Sequence, residues 1–311
     1  MTSPPADHVV TPRNPYPVLV LSLLGISIAG PLVRLSNADA LTIAAWRLGL
    51  SLLIVGGFLV ATGEWRDWRR MRGNELALSL LAGISLALHF WAWNASIHLT
   101  TIAASVTLVN LQPAVVAAIS AVALREVPSK RQALGIAVAM AGAFIIAAPD
   151  LWSGQTIVSN RALQGNLLAM SAAVTAGVYY SIGRKLRATL GVWAYVAIVY
   201  AAAFVTLCAV ALSRHVALGP EPPQEIAIFA ALAAGPMLLG HTGMNWALKF
   251  LPAYVVNLTV LGEPVGATLL GAFIPAIRQI PSAATLLGGA IVLAGVVVAS
   301  GNDSNRSSIN A

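Results

Sequence analysis

The sequence predicts an all-α integral membrane protein of ten transmembrane helices, arranged as two inverted five-helix repeats. Of its 311 residues 58% are hydrophobic and only 9% charged, with a mean hydropathy of +0.80, whereas about a quarter of the residues of a soluble domain are charged. The apolar residues gather into runs near the roughly 20 residues that cross a hydrocarbon core about 30 Å thick. Motifs of the first half return in the second after five runs, an odd number, so the second half must lie upside down in the bilayer.

The elements follow in order. Residues 1–15 are polar and Pro-rich, and no small-residue cleavage site follows the first apolar run, so that run is expected to stay in the protein as a span. Breaks at charges, Pro and Gly place the first repeat over 16–148, with spans near 16–33, 41–62, 75–97, 101–123 and 131–148. A linker over 149–163 is expected outside. The second repeat covers 164–300, with spans near 164–181, 191–212, 225–247, 252–274 and 281–300. A polar Ser/Asn-rich tail, 301–311, ends the chain. Ten spans leave only short connections, with no room for a soluble catalytic domain.

Orientation comes from the basic residues. Arg66, Arg69, Arg70 and Arg72, then Arg125, Lys130 and Arg131, then Arg184, Lys185 and Arg187, then Lys249 all fall in even-numbered connections. With Arg13 and Arg306 they place most of the 18 Lys and Arg on one side, against Arg34, Arg161, Arg214 and Arg278 on the other. This is the positive-inside bias, and it predicts both termini in the cytoplasm. Trp65, Trp68 and Trp152 sit where interfacial anchors belong. Because the basic residues form short clusters between apolar runs and no continuous face, the net charge of +7 reports topology and not a nucleic-acid partner. The single cysteine, Cys208, excludes an intramolecular disulfide and any multi-cysteine metal site; no metal or other cofactor is expected.

The repeat is read from Leu-Arg-Glu-Val-Pro-Ser at 124–129 against Ile-Arg-Gln-Ile-Pro-Ser at 277–282. Gly135 and Ala141-Gly142 match Gly288 and Ala294-Gly295; Pro113 matches Pro264, and His89 falls on His241. The duplicated plan, with Ala-Ala-Trp-Arg at 44–47, Leu-Gln-Pro-Ala-Val at 111–115 and Leu-Gly-Glu-Pro-Val at 261–265, resembles the drug/metabolite transporter superfamily and, within it, the EamA-type members. The resemblance implies a ten-helix exporter of amino acids or related metabolites in a bacterial inner membrane, with the YddG-type exporters of aromatic or neutral amino acids as the nearest group. One departure is Gln279, which stands where the first repeat has Glu126.

Ionisable groups inside a membrane are costly and so mark function by default. His89 has Ser85 and Trp93 one turn to either side, a polar and aromatic stripe suited to a cavity wall; the bland reading is a packing histidine. Its mate His241, with Asn245 one turn on, is expected nearer the inner side and His89 nearer the outer. Glu263 precedes Pro264 and is read as a proton site, a partner for a substrate ammonium, or a bystander at a kink. Asn110 and Gln112 before Pro113 are candidates for a substrate carboxylate or for ordinary interhelical bonding. Arg47 is expected to snorkel to the headgroups, with substrate binding as the alternative. Tyr179, Tyr180, Trp91 and Trp246 read either as an aromatic wall for a hydrophobic side chain or as core or lipid-facing residues, and only Trp93 is kept as a candidate. Glycines 135, 142, 288, 289 and 295 read as close helix contacts, within one molecule or between two copies of a homodimer. Pro31, Pro113 and Pro264 are the candidate hinges. Expected partners are therefore a small-molecule substrate and membrane lipids. No nucleophile, base and acid set and no phosphate loop appears, so an enzyme has no support; a channel is the competing reading.

Overall fold

The computed structural model describes residues 14–100, 102–152, 160–274 and 283–300. The polar N-terminus up to Arg13, most of the expected linker, Arg278 and Gln279, and the Ser/Asn-rich tail lie outside them. Among the described residues all regular structure is helical. We label the helical rods α1 (Tyr16–Leu35), α2 (Ala40–Thr62), α3 (Gly73–Leu99), α4 (Ile102–Val109 and Gln112–Leu124), α5 (Lys130–Trp152), α6 (Asn160–Leu186), α7 (Val192–Ser213), α8 (Pro223–Ala247), α9 (Ala253–Leu258, Thr259–Gly262 and Glu263–Phe273) and α10 (Ala283–Ser300). Five of them, α1, α2, α3, α7 and α8, are long and apolar enough to cross a membrane, and shorter apolar helices lie at Gln112–Leu124 and Leu286–Ala299. Leu53, Val122, Leu212 and Phe273 are largely exposed on the outside of the bundle, as lipid-facing side chains are.

Local chemistry sets the helix ends. Asp39 accepts the Leu41 N–H at 2.8 Å to open α2, and Gly63, at φ 72°, closes it. Glu75 accepts the Arg72 N–H at 2.8 Å at the start of α3. The sequence places the sixth span over 164–181, but α6 runs on to Leu186 because Arg184 and Lys185 suit the negative end of a helix.

Prolines break four of the rods, each about four residues before the ring, where a proline collides with the i−4 carbonyl and donates no hydrogen bond. Ser27, four before Pro31, ends the first segment of α1; Val109, four before Pro113, ends the first segment of α4. Leu232, four before Pro236, is the last α-helical residue before a π-helical stretch over Ala233–Thr242 in α8. Val260, four before Pro264, lies in the 3-10 stretch of α9.

The packing maps onto itself when the two repeats are exchanged. The equivalent rods α2 and α7, α4 and α9, and α5 and α10 pack on each other. α3 packs on α6 and α7 as α8 packs on α1 and α2, and α4 meets α6 as α9 meets α1. α5 and α10 approach so closely that a Cβ on Gly135 would lie 2.5 Å from the Ala299 nitrogen, and one on Gly142 2.6 Å from the Val292 nitrogen. Gly135, Gly142 and Gly295 thus serve a helix contact within the chain. Gly142→Leu is expected to force the two rods apart at about 1–3 kcal/mol or more, read as a lower melting temperature of the purified protein in detergent.

Candidate functional site

The proline breaks converge. Ile26 and Ala29 flank the α1 break, Val109 and Gln112 the α4 break, Pro236 and His241 belong to the π-helical stretch, and Val260 and Glu263 flank the α9 break; all of these line one central cavity. Arg47 from α2, His89, Phe90 and Trp93 from α3, Tyr180 from α6 and Met244 from α8 complete its wall. Its volume is about 40 Å³, room for a few waters and well below the several hundred Å³ of ordinary small-molecule sites. The cavity is narrow.

The sequence candidates divide as follows. His89, Trp93, Gln112, His241 and Glu263 reach the cavity. Asn110 and Asn245 do not line it: both are buried, neither side-chain atom of Asn110 has a protein partner, and Asn245 works behind the wall. Its Nδ2 donates to the His241 carbonyl at 2.7 Å and to the Tyr179 hydroxyl. Gln112 donates to Asn257 Oδ1, tying α4 to α9. Of the candidate hinges, Pro31, Pro113 and Pro264 all sit just beyond breaks, and Pro236 joins them although the sequence reading passed over it.

His89 and His241 meet: their rings lie 6.0 Å apart, as residues related by a two-fold axis do when they sit beside it. One expectation is corrected. Arg47 does not reach for headgroups. It is 1% exposed and faces inward, its guanidinium carbon 4.0 Å from the Phe90 ring centroid. Tyr180, set aside in the sequence, bonds His241 Nδ1 through its hydroxyl at 2.9 Å. In the sequence Arg47 stood out as a charge within an apolar run and as the end of Ala-Ala-Trp-Arg, and Tyr180 as an aromatic in a span; neither signal says which way the side chain faces.

Hydrogen bonding fixes part of the site's polarity. His89 Nδ1 lies 2.9 Å from the Ala172 carbonyl; a carbonyl only accepts, so Nδ1 carries the proton and the neutral ring keeps its Nε2 lone pair as an acceptor. Among the described residues, Arg47 and Glu263 share the cavity without an ion pair.

Both ends of the molecule are tied across the repeats. At one end Glu225, at the start of α8, accepts from Ser36 Oγ at 2.5 Å and from the Asn37 N–H at 2.9 Å. Thr42 and Trp46, at the start of α2, donate to the Ala217 and Leu218 carbonyls of the α7–α8 connection at 3.0 and 2.8 Å. At the other end Glu64 accepts the Trp193 and Ala194 N–H groups at 2.7 and 3.2 Å, and Asp67 accepts that of Gly191 at 2.8 Å. The start of α7 thereby grips the α2–α3 connection, the mirror of the first arrangement. Arg184 pairs with Glu126 at 2.8 Å, and Arg187 donates to the Asn245 carbonyl at 3.0 Å. Burial pulls the Arg187 guanidinium down to about 10, opposed by Glu64, Tyr195 and Asp67, so it stays charged at neutral pH.

A two-repeat helical membrane protein with a narrow central cavity, lined by apolar and aromatic side chains and a few buried polar groups, has the form of a small-molecule transporter. The model of the EamA-like transporter family matches residues 15–148 and again 163–301. The chain belongs to that family, and it is a multi-pass membrane transporter of small molecules. Among solved structures, one titled only as the crystal structure of a protein matches with a TM-score of 0.73 at 16% identity, covering 93% of this chain and 98% of its own; it shows the shared fold. None of the curated proteins compared matches the chain.

Proposed function

We propose that this chain is a secondary carrier that exports amino acids, aromatic or neutral, or closely related small metabolites, by alternating access across a bacterial inner membrane, in the manner of the YddG-type exporters. In this reading α1–α10 each cross the bilayer, the repeats 16–148 and 164–300 are inverted, and both termini lie in the cytoplasm, which agrees with the basic residues of the even-numbered connections. The carrying observation is the narrow cavity at the proline breaks, with matching ties between the repeats at each end. A carrier must close both ends around its solute and then release one. Broken helices supply both the polar lining and the points that bend.

The wall suits an amphipathic solute. Glu263 is placed to take an ammonium group, His89 Nε2 offers a second acceptor, and Phe90, Trp93 and Tyr180 present aromatic surface. Purified protein in liposomes loaded with one labelled amino acid should show saturable counterflow, competed by aromatic or neutral amino acids and not by strongly charged ones. Flux that does not saturate would make the chain a channel, and counterflow restricted to other metabolites would replace the substrate.

A further inference from the structure

The reading above leaves one buried cation without a task. Arg47 lies on the cavity wall at 1% exposure, and its Nε and Nη1 are buried without any acceptor from the protein. Among the described residues no carboxylate comes within ion-pair distance of it. Phe90 holds the guanidinium at 4.0 Å and itself meets His241 edge-on, at 5.0 Å and 82°, so the charge is carried on a braced aromatic and not on a loose chain. Trp93, on the same wall, also has a buried Nε1–H without an acceptor. Buried donors are nearly always matched, and an unmatched guanidinium inside a membrane is among the costliest arrangements a chain can keep. A planar fork of N–H groups is matched best by a carboxylate.

We propose that Arg47, with the Trp93 N–H, binds the carboxylate of the transported solute. The cavity wall then offers donors at Arg47 and Trp93 and acceptors at Glu263 and His89 Nε2, one set for each charged end of a zwitterion. The ammonium half of this statement rests on the amino-acid reading; the carboxylate half holds for any carboxylic acid. Arg47 is accordingly a specificity-determining residue, and a solute without a carboxylate is not carried.

The test uses the wild-type protein first. In the liposome assay, the best amino acid, the amine made from it by decarboxylation and the acid made from it by loss of the amino group compete for counterflow. The amine is expected to compete about 10- to 100-fold less well than the amino acid, the range set by one charge-assisted contact. Arg47→Lys should keep part of that preference and Arg47→Met should erase it. An amine that competes as well as its amino acid overturns the proposal. If no amino acid shows counterflow, the amino-acid reading fails alone, and thermal stabilisation of the wild-type protein by simple carboxylic acids against the matching amines decides this one: stabilisation by the acids only upholds it, and stabilisation by the amines, or by neither, ends it.

Discussion

Glu263→Gln is expected to lower counterflow at sub-saturating solute by about 10- to 100-fold while leaving the melting temperature unchanged or raised. The two halves of that expectation come from one observation. The Glu263 carboxylate is buried at the head of the last segment of α9, and among the described residues it has neither an ion pair nor a hydrogen bond to lose. Replacing a buried carboxyl group that makes no hydrogen bond or ion pair with an amide of the same shape breaks no internal contact. What the substitution removes is the contact with the solute, and a charged hydrogen bond of about 1.5–3 kcal/mol gives the stated factor. Counterflow and thermal melts on the same preparation check it. A loss of transport accompanied by a clearly lower melting temperature would make Glu263 a structural residue and remove it from the site.

The second large effect is expected at the ties between repeats. Glu225→Ala deletes two hydrogen bonds to a carboxylate, from Ser36 and Asn37, and so should shift the balance toward opening at that end by about 10- to 100-fold. Glu64→Ala deletes the bonds to Trp193 and Ala194 at the other end and should shift it the opposite way. Each variant is expected to slow exchange, because a carrier held open on one side completes fewer cycles. A membrane-impermeant thiol reagent reads the direction when the cavity carries a reporter cysteine. The native chain has only Cys208, so Cys208→Ala gives a silent background. Equal labelling from both sides in both variants would mean that these contacts are not gates.

How far the sequence carried the account is seen in particular residues. Three of the prolines were legible as hinges, and the rule that a proline disturbs the turn four residues before it puts breaks at Ser27, Val109 and Val260; the break at Leu232, before the overlooked Pro236, was found only in the structure. The repeat was legible too, since Pro113 and Pro264 head equivalent segments. What a uniformly apolar run does not reveal is which way a side chain faces. With no amphipathic stripe to orient α2, Arg47 at its eighth position reads equally as a headgroup anchor and as a cavity wall; packing of Phe90 beneath it decides for the cavity. The same blindness hid Tyr180. For His89 and His241 depth was inferred from inversion alone, whereas their meeting depends on nearness to the pseudo-two-fold axis, which is a property of the packing. Asn110 and Asn245 were chosen for polarity in a span, but a buried amide serves equally to brace a neighbour, as Asn245 does for Tyr179 and the His241 carbonyl.

The most direct measurement is sided labelling of Val260→Cys in the Cys208→Ala background, since Val260 lines the cavity at the α9 break and cysteine is no larger. In oriented vesicles the account predicts slow labelling from either side, faster from the outside in Glu225→Ala and faster from the inside in Glu64→Ala, with a transported amino acid protecting the cysteine in every case. Labelling from one side only in all three proteins, or labelling that no solute slows, would contradict alternating access around this cavity.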